Sequence, residues 1–268
     1  MSVPERRDDD SPQRYGTIVV VGGGCYGSYY VRQLRRAVRA GALEAQRVLV
    51  VDRDANCAVA RGLSASSEES PVVEIVVADW SAFFEEYLAG AVREPSRFQA
   101  DAIVPSPLMP HLMGEWLVAR ARERYGDRVV ADQPFEHVPV VPWERAGGGG
   151  THYVSFATWT CPINCVEPRT CPHTRDTRSW SLPVRLEEFA RDEAAAGRPV
   201  VVGTLFCRHR SYGVGMFDTA EVIEAHLRVM SAGTARAEIV IGTVSHCHGA
   251  LTRLVIRASP SLTDSPVP

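Results

Sequence analysis

The sequence predicts an α/β protein with an N-terminal doubly wound parallel sheet and a C-terminal α+β unit that carries a cysteine-rich loop. Between residues 17 and 130, short runs of Val and Ile alternate with segments of helical periodicity. Continuous apolar strands of this kind are typical of a parallel sheet covered by helices on both faces. Two features are candidate binding sites within this framework: a glycine-rich turn after the first strand and three cysteines in the second half of the chain.

The individual elements follow from apolar runs and their periodicity. In the first half we expect strands at 17–21, 47–52, 72–78, 101–104 and 129–130, with helices at 28–40, from 80 through 88, and 111–125. Gly41 ends the first of these helices. In the second half we expect strands at 153–158, 199–206, 238–244 and 251–257, with helices at 185–196 and 219–230.

Four consecutive glycines, Gly147 to Gly150, predict a flexible joint between two domains. We expect a first domain at 15–146 and an α+β cysteine-loop domain at 151–257. The charged residues 1–14 predict a disordered arm, and residues 258–268 a disordered tail.

The composition restricts compartment and partners. With 45% hydrophobic and 23% charged residues, the 268-residue chain has the composition of a soluble globular protein, and no apolar run reaches membrane-spanning length. The charged N-terminal residues lack the apolar core of a secretory signal. A net charge of −3 gives no general attraction to nucleic acid. Seven cysteines, an odd number, favour a reducing compartment, so we expect a cytoplasmic protein.

Every one of the 29 basic residues is an arginine. Schiff-base catalysis, a Walker A phosphate loop and the Tyr-x-x-x-Lys pair of short-chain dehydrogenases all need an ammonium group that arginine does not supply. The sequence therefore excludes these three chemistries.

The glycine-rich turn has the spacing Gly22-x-Gly24-x-x-Gly27, between a predicted strand and a predicted helix. Gly22 permits the tight turn, Gly24 lets the backbone approach a pyrophosphate, and Gly27 lets the helix pack on the strand. The helix N-terminus offers N–H groups and the positive end of its dipole to the phosphates. Cys25 lies within this cofactor-binding loop, and its thiol is expected to be structural.

Asp52 ends the next strand, a position at which a carboxylate can accept hydrogen bonds from the ribose hydroxyls of a dinucleotide. The adjacent Arg53 could instead bind the 2′-phosphate of NADP. The choice between NAD and NADP therefore stays open. Over about its first half the chain resembles the Rossmann-fold NAD(P)-binding superfamily, which implies a Rossmann-like sheet and a bound dinucleotide. Asp79, at the end of the third strand, is similar to the adenine-side acidic position in the nucleotide-binding domains of potassium-uptake regulators. A purely structural turn, or a site for a flavin or S-adenosylmethionine, is the alternative.

Cys161, Cys165 and Cys171 occur with the spacing C-x3-C-x5-C in a Pro-rich loop. A loop that presents several thiolates to one point suits a metal ion or an iron–sulfur cluster. We expect a [4Fe–4S] cluster completed by Cys207 or Cys247, each at the end of a predicted strand. Zinc bound by the three loop cysteines and His173 is the alternative, and three cysteines without a metal are the third possibility.

Other polar groups lie near these cysteines in sequence. Three arginines surround the loop: Arg169, Arg175 and Arg178. Their positive charge could offset the negative charge of a thiolate cluster or bind an acidic partner. The glycine-flanked segment 208–215 is a candidate anion-binding or substrate-binding loop. His246 and His248 form a second candidate ligand pair, although strand alternation directs them away from Cys247.

Together these features predict an NAD(P)-binding iron–sulfur oxidoreductase or electron-transfer component. A nicotinamide gives up two electrons as hydride and a cluster accepts one at a time, so a flavin normally mediates between them. We therefore expect a protein redox partner or a larger oxidoreductase complex. The alternative is a non-catalytic nucleotide-sensing accessory or assembly protein with structural zinc. Catalysis would place acid–base groups near Ser106 or His111.

Overall fold

A computed structural model describes residues 12–63, 71–131, 134–162 and 164–259. It confirms the α/β class: the described part contains six α-helices and two mixed sheets. The strands are β1 (Gln13–Val21), β2 (Leu43–Asp52), β3 (Val72–Val77), β4 (Ala102–Val104), β5 (Val129–Ala131), β6 (Trp143–Ala146), β7 (Thr151–Ser155), β8 (Val200–Phe206), β9 (Arg208–Ser211), β10 (Val214–Asp218), β11 (Ala237–Val244) and β12 (His248–Ile256). The helices are α1 (Cys25–Arg39), α2 (Ala58–Leu63), α3 (Trp80–Arg93), α4 (Leu112–Tyr125), α5 (Leu182–Ala195) and α6 (Thr219–Met230).

Most of the predicted arm and tail (1–11 and 260–268) lies outside the described residues, and β1 begins two residues before the predicted start of the first domain. None of the described helices has the length and apolar character needed to cross a membrane.

The first sheet has the strand order β3-β2-β1-β4-β10-β9. Strands β3, β2, β1 and β4 are parallel, whereas β10 and β9 are antiparallel additions from the second half of the chain. Strands β2 and β4 flank β1 on opposite sides. The strand order therefore reverses at β1, because β2 and β3 extend the sheet on one side of β1 and β4 extends it on the other. A crevice at the carboxyl ends of such strands is a common ligand site in α/β proteins.

Both faces of the first sheet are covered by helices. Ile18 and Val20 of β1 pack in a hydrophobic cluster with residues of α1 and α2. Val19 and Val21 point to the opposite face and pack with residues of α3, α4 and α6. This alternation explains why β1 is a continuous apolar run rather than an alternating one.

The second sheet has the order β6-β7-β12-β11-β8, and β5 pairs with the other end of β12. Strands β8 and β11 are parallel, and β11 and β12 form an antiparallel hairpin. Val19 and Val21 of the first sheet share one hydrophobic cluster with Leu205 and Ile239 of the second. The two sheets therefore have a common core.

The glycines predicted as an interdomain joint form the turn between β6 and β7. The Gly147 N–H donates to the Thr151 carbonyl at 2.7 Å, and the Thr151 N–H donates to the Gly148 carbonyl at 3.2 Å. The two-domain division itself stays a prediction. Elements from each predicted domain contribute to both sheets, since β5 pairs with β12 and β10 pairs with β4.

The segment 208–215, expected to be a basic loop, instead contains β9 and the start of β10. Its turn contains Tyr212 and Gly213, which have φ angles of 51° and 78°. Two successive residues with positive φ are typical of the tight turns that match the twist of a β-hairpin. Arg210 binds both carboxylate oxygens of Asp218 at 2.7 Å each, which ties the two strands together.

An arginine–glutamate pair stabilises the second sheet at its β11–β12 hairpin. Arg253 is 6% exposed, and its Nε and Nη2 donate to the two oxygens of Glu238 at 2.6 and 3.1 Å. Burial alone raises the pKa of Glu238, but hydrogen bonds and charge from Arg253 outweigh burial, so the pKa is lowered.

We expect Glu238→Gln to lower the free energy of unfolding at pH 7 by about 3 kcal/mol, because it leaves the buried guanidinium with only the exposed carboxylate of Glu136, 3.5 Å away, as counter-charge. A carboxyl with a lowered folded pKa stabilises above its unfolded pKa, and this contribution is lost as the pH falls through the folded pKa. The difference between wild type and variant should therefore shrink below about pH 4. Urea unfolding of wild type and variant at pH 7 and below about pH 4 measures this difference in the free energy of unfolding.

The matched control is Glu44→Gln, which removes an exposed ion pair with Arg14. Such pairs contribute at most about 1 kcal/mol. Equal losses in the two variants would contradict a specific role for the buried pair.

Candidate functional site: a thiol-lined pocket beside the glycine loop

A pocket of about 760 Å³ lies where the two sheets meet. Its walls include the segments that follow the carboxyl ends of β4, β8 and β11. It is lined by four thiols together with two imidazoles and one carboxylate: Cys161, Cys165, Cys207, Cys247, His209, His248 and Glu167. We call this the thiol pocket. Volumes of this size are usual for small-molecule and cofactor sites.

Four of the five predicted metal ligands thus line one pocket. The fifth, Cys171, is buried close by, since its charge contributes to raising the pKa of both Cys161 and Cys165, after burial as the main cause. Among the residues that the structure describes, no group of three His, Cys, Asp or Glu side chains is placed to hold one metal ion as it stands. Metal binding by these cysteines therefore stays a prediction.

Short hydrogen-bonded turns form the cysteine loop. The Cys165 N–H donates to the Pro162 carbonyl at 3.0 Å, and the Glu167 N–H donates to Cys165 Sγ at 3.3 Å. A bridge between Thr170 and Thr177 closes a second turn, which begins with Cys171. The loop therefore positions its thiols through local backbone contacts.

The Cys171 thiol has a distinct electrostatic environment. Burial raises its pKa, but hydrogen bonds from the backbone of Thr174 and His173, together with the charge of Arg178, outweigh burial and lower it. Hydrogen bonds of this kind stabilise a thiolate, and those to cluster sulfurs tune iron–sulfur centres.

Arg178, one of the three arginines expected around the loop, lies close to the thiols. Its Nε and Nη1 atoms are buried, with no hydrogen-bond partner among the described residues. Buried donors of this kind are rare in folded proteins. Its charge also lowers the pKa values of Cys165 and Cys247, in each case against a larger effect of burial.

Glu167 places a buried carboxylate beside the thiols. Its φ of 49° is unusual for a residue other than glycine, and such conformations cluster at functional sites. The carboxylate accepts N–H groups from His246 and Cys247 at 3.2 Å each. Burial raises its pKa, but the charge of His209 and these hydrogen bonds outweigh burial and lower it. The group is therefore an anion at neutral pH.

Cys207 and Cys247 are protonated thiols in this environment. Burial is the main cause that raises each pKa to about 12, with the charge of Glu167 adding to it. Trp180 donates its indole N–H to Cys247 Sγ at 3.3 Å. Deprotonation of either thiol needs a cation close to it, such as a metal ion.

Two of the candidate histidine ligands, His246 and His173, have side-chain partners within the protein. His246 Nδ1 lies 2.9 Å from the Ser181 hydroxyl, and burial is the main cause that lowers its pKa to about 4. The His173 ring stacks on Trp159 with centroids 4.8 Å apart.

The glycine loop makes a tight turn between β1 and α1. Gly22 has a φ of 89°, and its N–H donates to the Val51 carbonyl at 2.9 Å. A Cβ on Gly27 would lie 1.9 Å from the Gly22 carbonyl oxygen, so a side chain cannot fit there. A Cβ on Gly24 would meet no described atom within 4 Å, which leaves open space in front of the helix N-terminus.

The acidic groups near the glycine loop have protein partners. Asp52 accepts the Gly23 N–H at 2.6 Å and the Asp54 N–H at 2.9 Å, so its carboxylate braces the loop. Arg53 and Asp79 form an exposed ion pair at 3.0 Å. Asp79 also caps α3 by accepting the Ser81 N–H at 2.9 Å. Cys25 is exposed on the first turn of α1.

Sequence reasoning missed several residues of the thiol pocket. Its aromatic wall includes Tyr26, Tyr30, Trp143 and Trp159, which come from three separate segments of the chain. Nothing in the local sequence marks these aromatic side chains as pocket residues. His209 was recognisable in principle, because it lies two residues after Cys207 in an extended segment and alternate residues of a strand share a side.

One family model matches the chain, over residues 113–257: AF_1314_C, described as an uncharacterized protein, C-terminal domain. The match covers more than half of the 268 residues, so the chain belongs to this family. It includes all five predicted metal ligands and excludes the glycine loop. Comparisons with curated proteins and with solved structures gave no match.

We expect Gly27→Ala to lower the free energy of unfolding by about 3 kcal/mol, because the new methyl group would overlap the Gly22 carbonyl. Chemical denaturation measures the loss. Gly24→Ala is the control, since open space surrounds that position and an alanine at a helix N-cap costs about 1 kcal/mol. A loss at Gly24 as large as that at Gly27 would show that the loop is not packed as described.

Proposed function

We propose that this protein is an NAD(P)-binding iron–sulfur oxidoreductase or electron-transfer component. One observation carries the proposal: thiols from separate segments of the chain converge on the thiol pocket, beside a glycine loop suited to a dinucleotide. Cysteines distributed at random along the chain would not line one pocket in this number.

The donor set fits an iron–sulfur cluster better than zinc. Cys161, Cys165 and Cys171 would hold a [4Fe–4S] cluster with Cys207 or Cys247, after side-chain rotations that turn the thiols toward one point. N–H groups directed at Cys165 and Cys171 and the positive charge of Arg178 favour thiolates. Zinc bound through His173 would require that ring to leave the face of Trp159.

The fold around the glycine loop supports dinucleotide binding. The order β3-β2-β1-β4 with helices on both faces is the arrangement expected of a Rossmann-like half-domain. With its pyrophosphate at Gly24, a dinucleotide would extend toward Asp52 in one direction. In the other it would extend toward Ser106, which follows β4 and lines the thiol pocket. The nicotinamide end would then approach the thiols.

The proposed electron transfer calls for a redox partner protein. A hydride carries two electrons and a cluster accepts one at a time, so a flavin normally mediates between them. The proposal therefore includes a flavin-carrying protein redox partner, or a larger oxidoreductase complex that contains one.

A nucleotide-sensing accessory or assembly protein with structural zinc is the second candidate. The observation that favours it is the local character of the cysteine loop, which brings Cys161, Cys165 and Cys171 together through its own turns. Structural zinc sites commonly take their ligands from such short segments.

We expect protein purified without oxygen to show the broad visible absorption of a thiolate-ligated cluster and to contain about four irons per chain. Cys165→Ser should abolish both, because it removes a ligand from the centre of the loop. Cys25→Ser is the matched control, since this exposed cysteine lies outside the thiol pocket. Colourless wild-type protein with one zinc would overturn the iron–sulfur assignment and favour the second candidate.

We expect wild-type protein to bind NADH or NADPH in calorimetry, and Gly24→Val to abolish binding without loss of the fold. The valine side chain would occupy the open space that a pyrophosphate needs. Circular dichroism of the variant checks the fold. Wild-type protein that binds neither nucleotide would remove the dinucleotide from the proposal, and FAD in the same assay tests a flavin in its place.

A further inference from the structure

We infer that the thiol pocket binds a planar ring that carries a positive charge, with Glu167 as the counter-charge and aromatic side chains as the surrounding wall. For the dinucleotide of the proposed function, this ring is the oxidised nicotinamide, a pyridinium cation, in preference to the neutral reduced ring. The inference deepens the proposed function and rests on it only for the identity of the ring.

The charged groups of the pocket wall favour a cation. Among the described residues that line the pocket, Glu167 is the only carboxylate, and no arginine or aspartate lines it. Glu167 is 8% exposed, and N–H groups of His246 and Cys247 hold its carboxylate in place at 3.2 Å each. The wall therefore carries a net negative charge whenever its two histidines, His209 and His248, are neutral.

The charge of Glu167 acts across the pocket. Burial is the main cause that raises the pKa values of Cys165, Cys207 and Cys247, and the charge of Glu167 raises each of them further. At each thiol, this charge has a larger effect than that of any neighbouring arginine. A ligand in the pocket would feel the same charge, which attracts a cation and repels an anion.

The aromatic wall favours a ring-shaped cation. Tyr26 and Trp143 line the pocket and are 37% and 40% exposed, so parts of their rings are open to a ligand. The faces of Tyr and Trp rings carry partial negative charge and attract cations. A planar ligand also buries its own apolar surface against such rings. The pocket volume of about 760 Å³ leaves room for a ring of this size.

A preference for the cation would affect the redox chemistry of the proposed function. When a reduced nicotinamide gives up a hydride, the electron pair leaves with the hydrogen and the neutral ring becomes a pyridinium cation. A pocket that binds the cation more tightly therefore shifts the bound couple toward its oxidised form. The flavin of the proposed redox partner would accept the hydride.

The test compares 1-methylnicotinamide, a pyridinium cation, with nicotinamide, its neutral analogue, in ligand-observed NMR titrations of the whole protein. At about pH 8, above the ordinary histidine pKa of about 6.5, the imidazoles of the wall do not offset the Glu167 charge. We expect wild type to bind the cation about tenfold more tightly than the neutral ring. Glu167→Gln should remove most of this preference, because glutamine keeps an oxygen for a backbone N–H but carries no charge.

Glu44→Gln is the matched control and should keep the preference, since this exposed carboxylate lies at the amino end of β2, away from the pocket. Circular dichroism checks the fold of each variant. Trp143→Leu is a second variant that does not disturb the buried carboxylate, and we expect it to weaken binding of the cation by removing an aromatic face.

Equal binding of the two rings by wild type, or binding of neither, would overturn the inference. Cation binding that is unchanged in both Glu167→Gln and Trp143→Leu would place the site elsewhere and overturn it as well. The free rings do not need the glycine loop. Failure of NADH and NADPH to bind would therefore count against the proposed function alone, while the comparison of the two rings still decides this inference.

Discussion

The hydrophobic cluster shared by the two sheets determines where the candidate site lies. Val19 and Val21 of β1 pack in one cluster with Leu205 of β8 and Ile239 of β11. This packing brings the carboxyl ends of β4, β8 and β11 to the same place, and the residues that follow those strands line the thiol pocket. Loss of the shared packing would separate Cys207 and Cys247 from the wall that α1 forms, so the pocket depends on contacts remote from its thiols.

The elements with strong apolar periodicity were predictable because local sequence determines them. The helix expected at 219–230 is α6, and the strand expected at 238–244 is β11. The β9–β10 hairpin was not predictable in this way. Its first strand is polar, its turn depends on positive φ at Tyr212, and β10 acquires its place only by pairing with β4. Long-range pairing of this kind leaves no local pattern.

The residues of the candidate site also fall into two groups, those predictable from local sequence and those placed by long-range contacts. Cysteine spacing and the position of Cys207 and Cys247 at strand ends were sufficient to predict that these residues belong together, and four of the five predicted ligands line one pocket. The contribution of Glu167 was not predictable, because its carboxylate acquires its role from N–H groups of a turn 79 and 80 residues later in the chain. The position of His209 near Cys207 was recognisable from their spacing, but the orientation of its ring was not, because it depends on a carbonyl 44 residues away.

Helix α1 joins the two parts of the proposed site. Its N-cap is Gly24, where an added Cβ would meet open space, and Tyr26 and Tyr30 on its first turns line the thiol pocket. The helix lies outside the matched family region, whereas every candidate thiol ligand lies inside it. Under the proposed function, the family domain would supply the metal chemistry, and the N-terminal part of the chain would supply the nucleotide site. The N-terminus of α1 faces the proposed phosphate position, and the next residues of the same helix form a wall of the thiol pocket. A ligand that moves α1 would therefore alter the surroundings of the thiols.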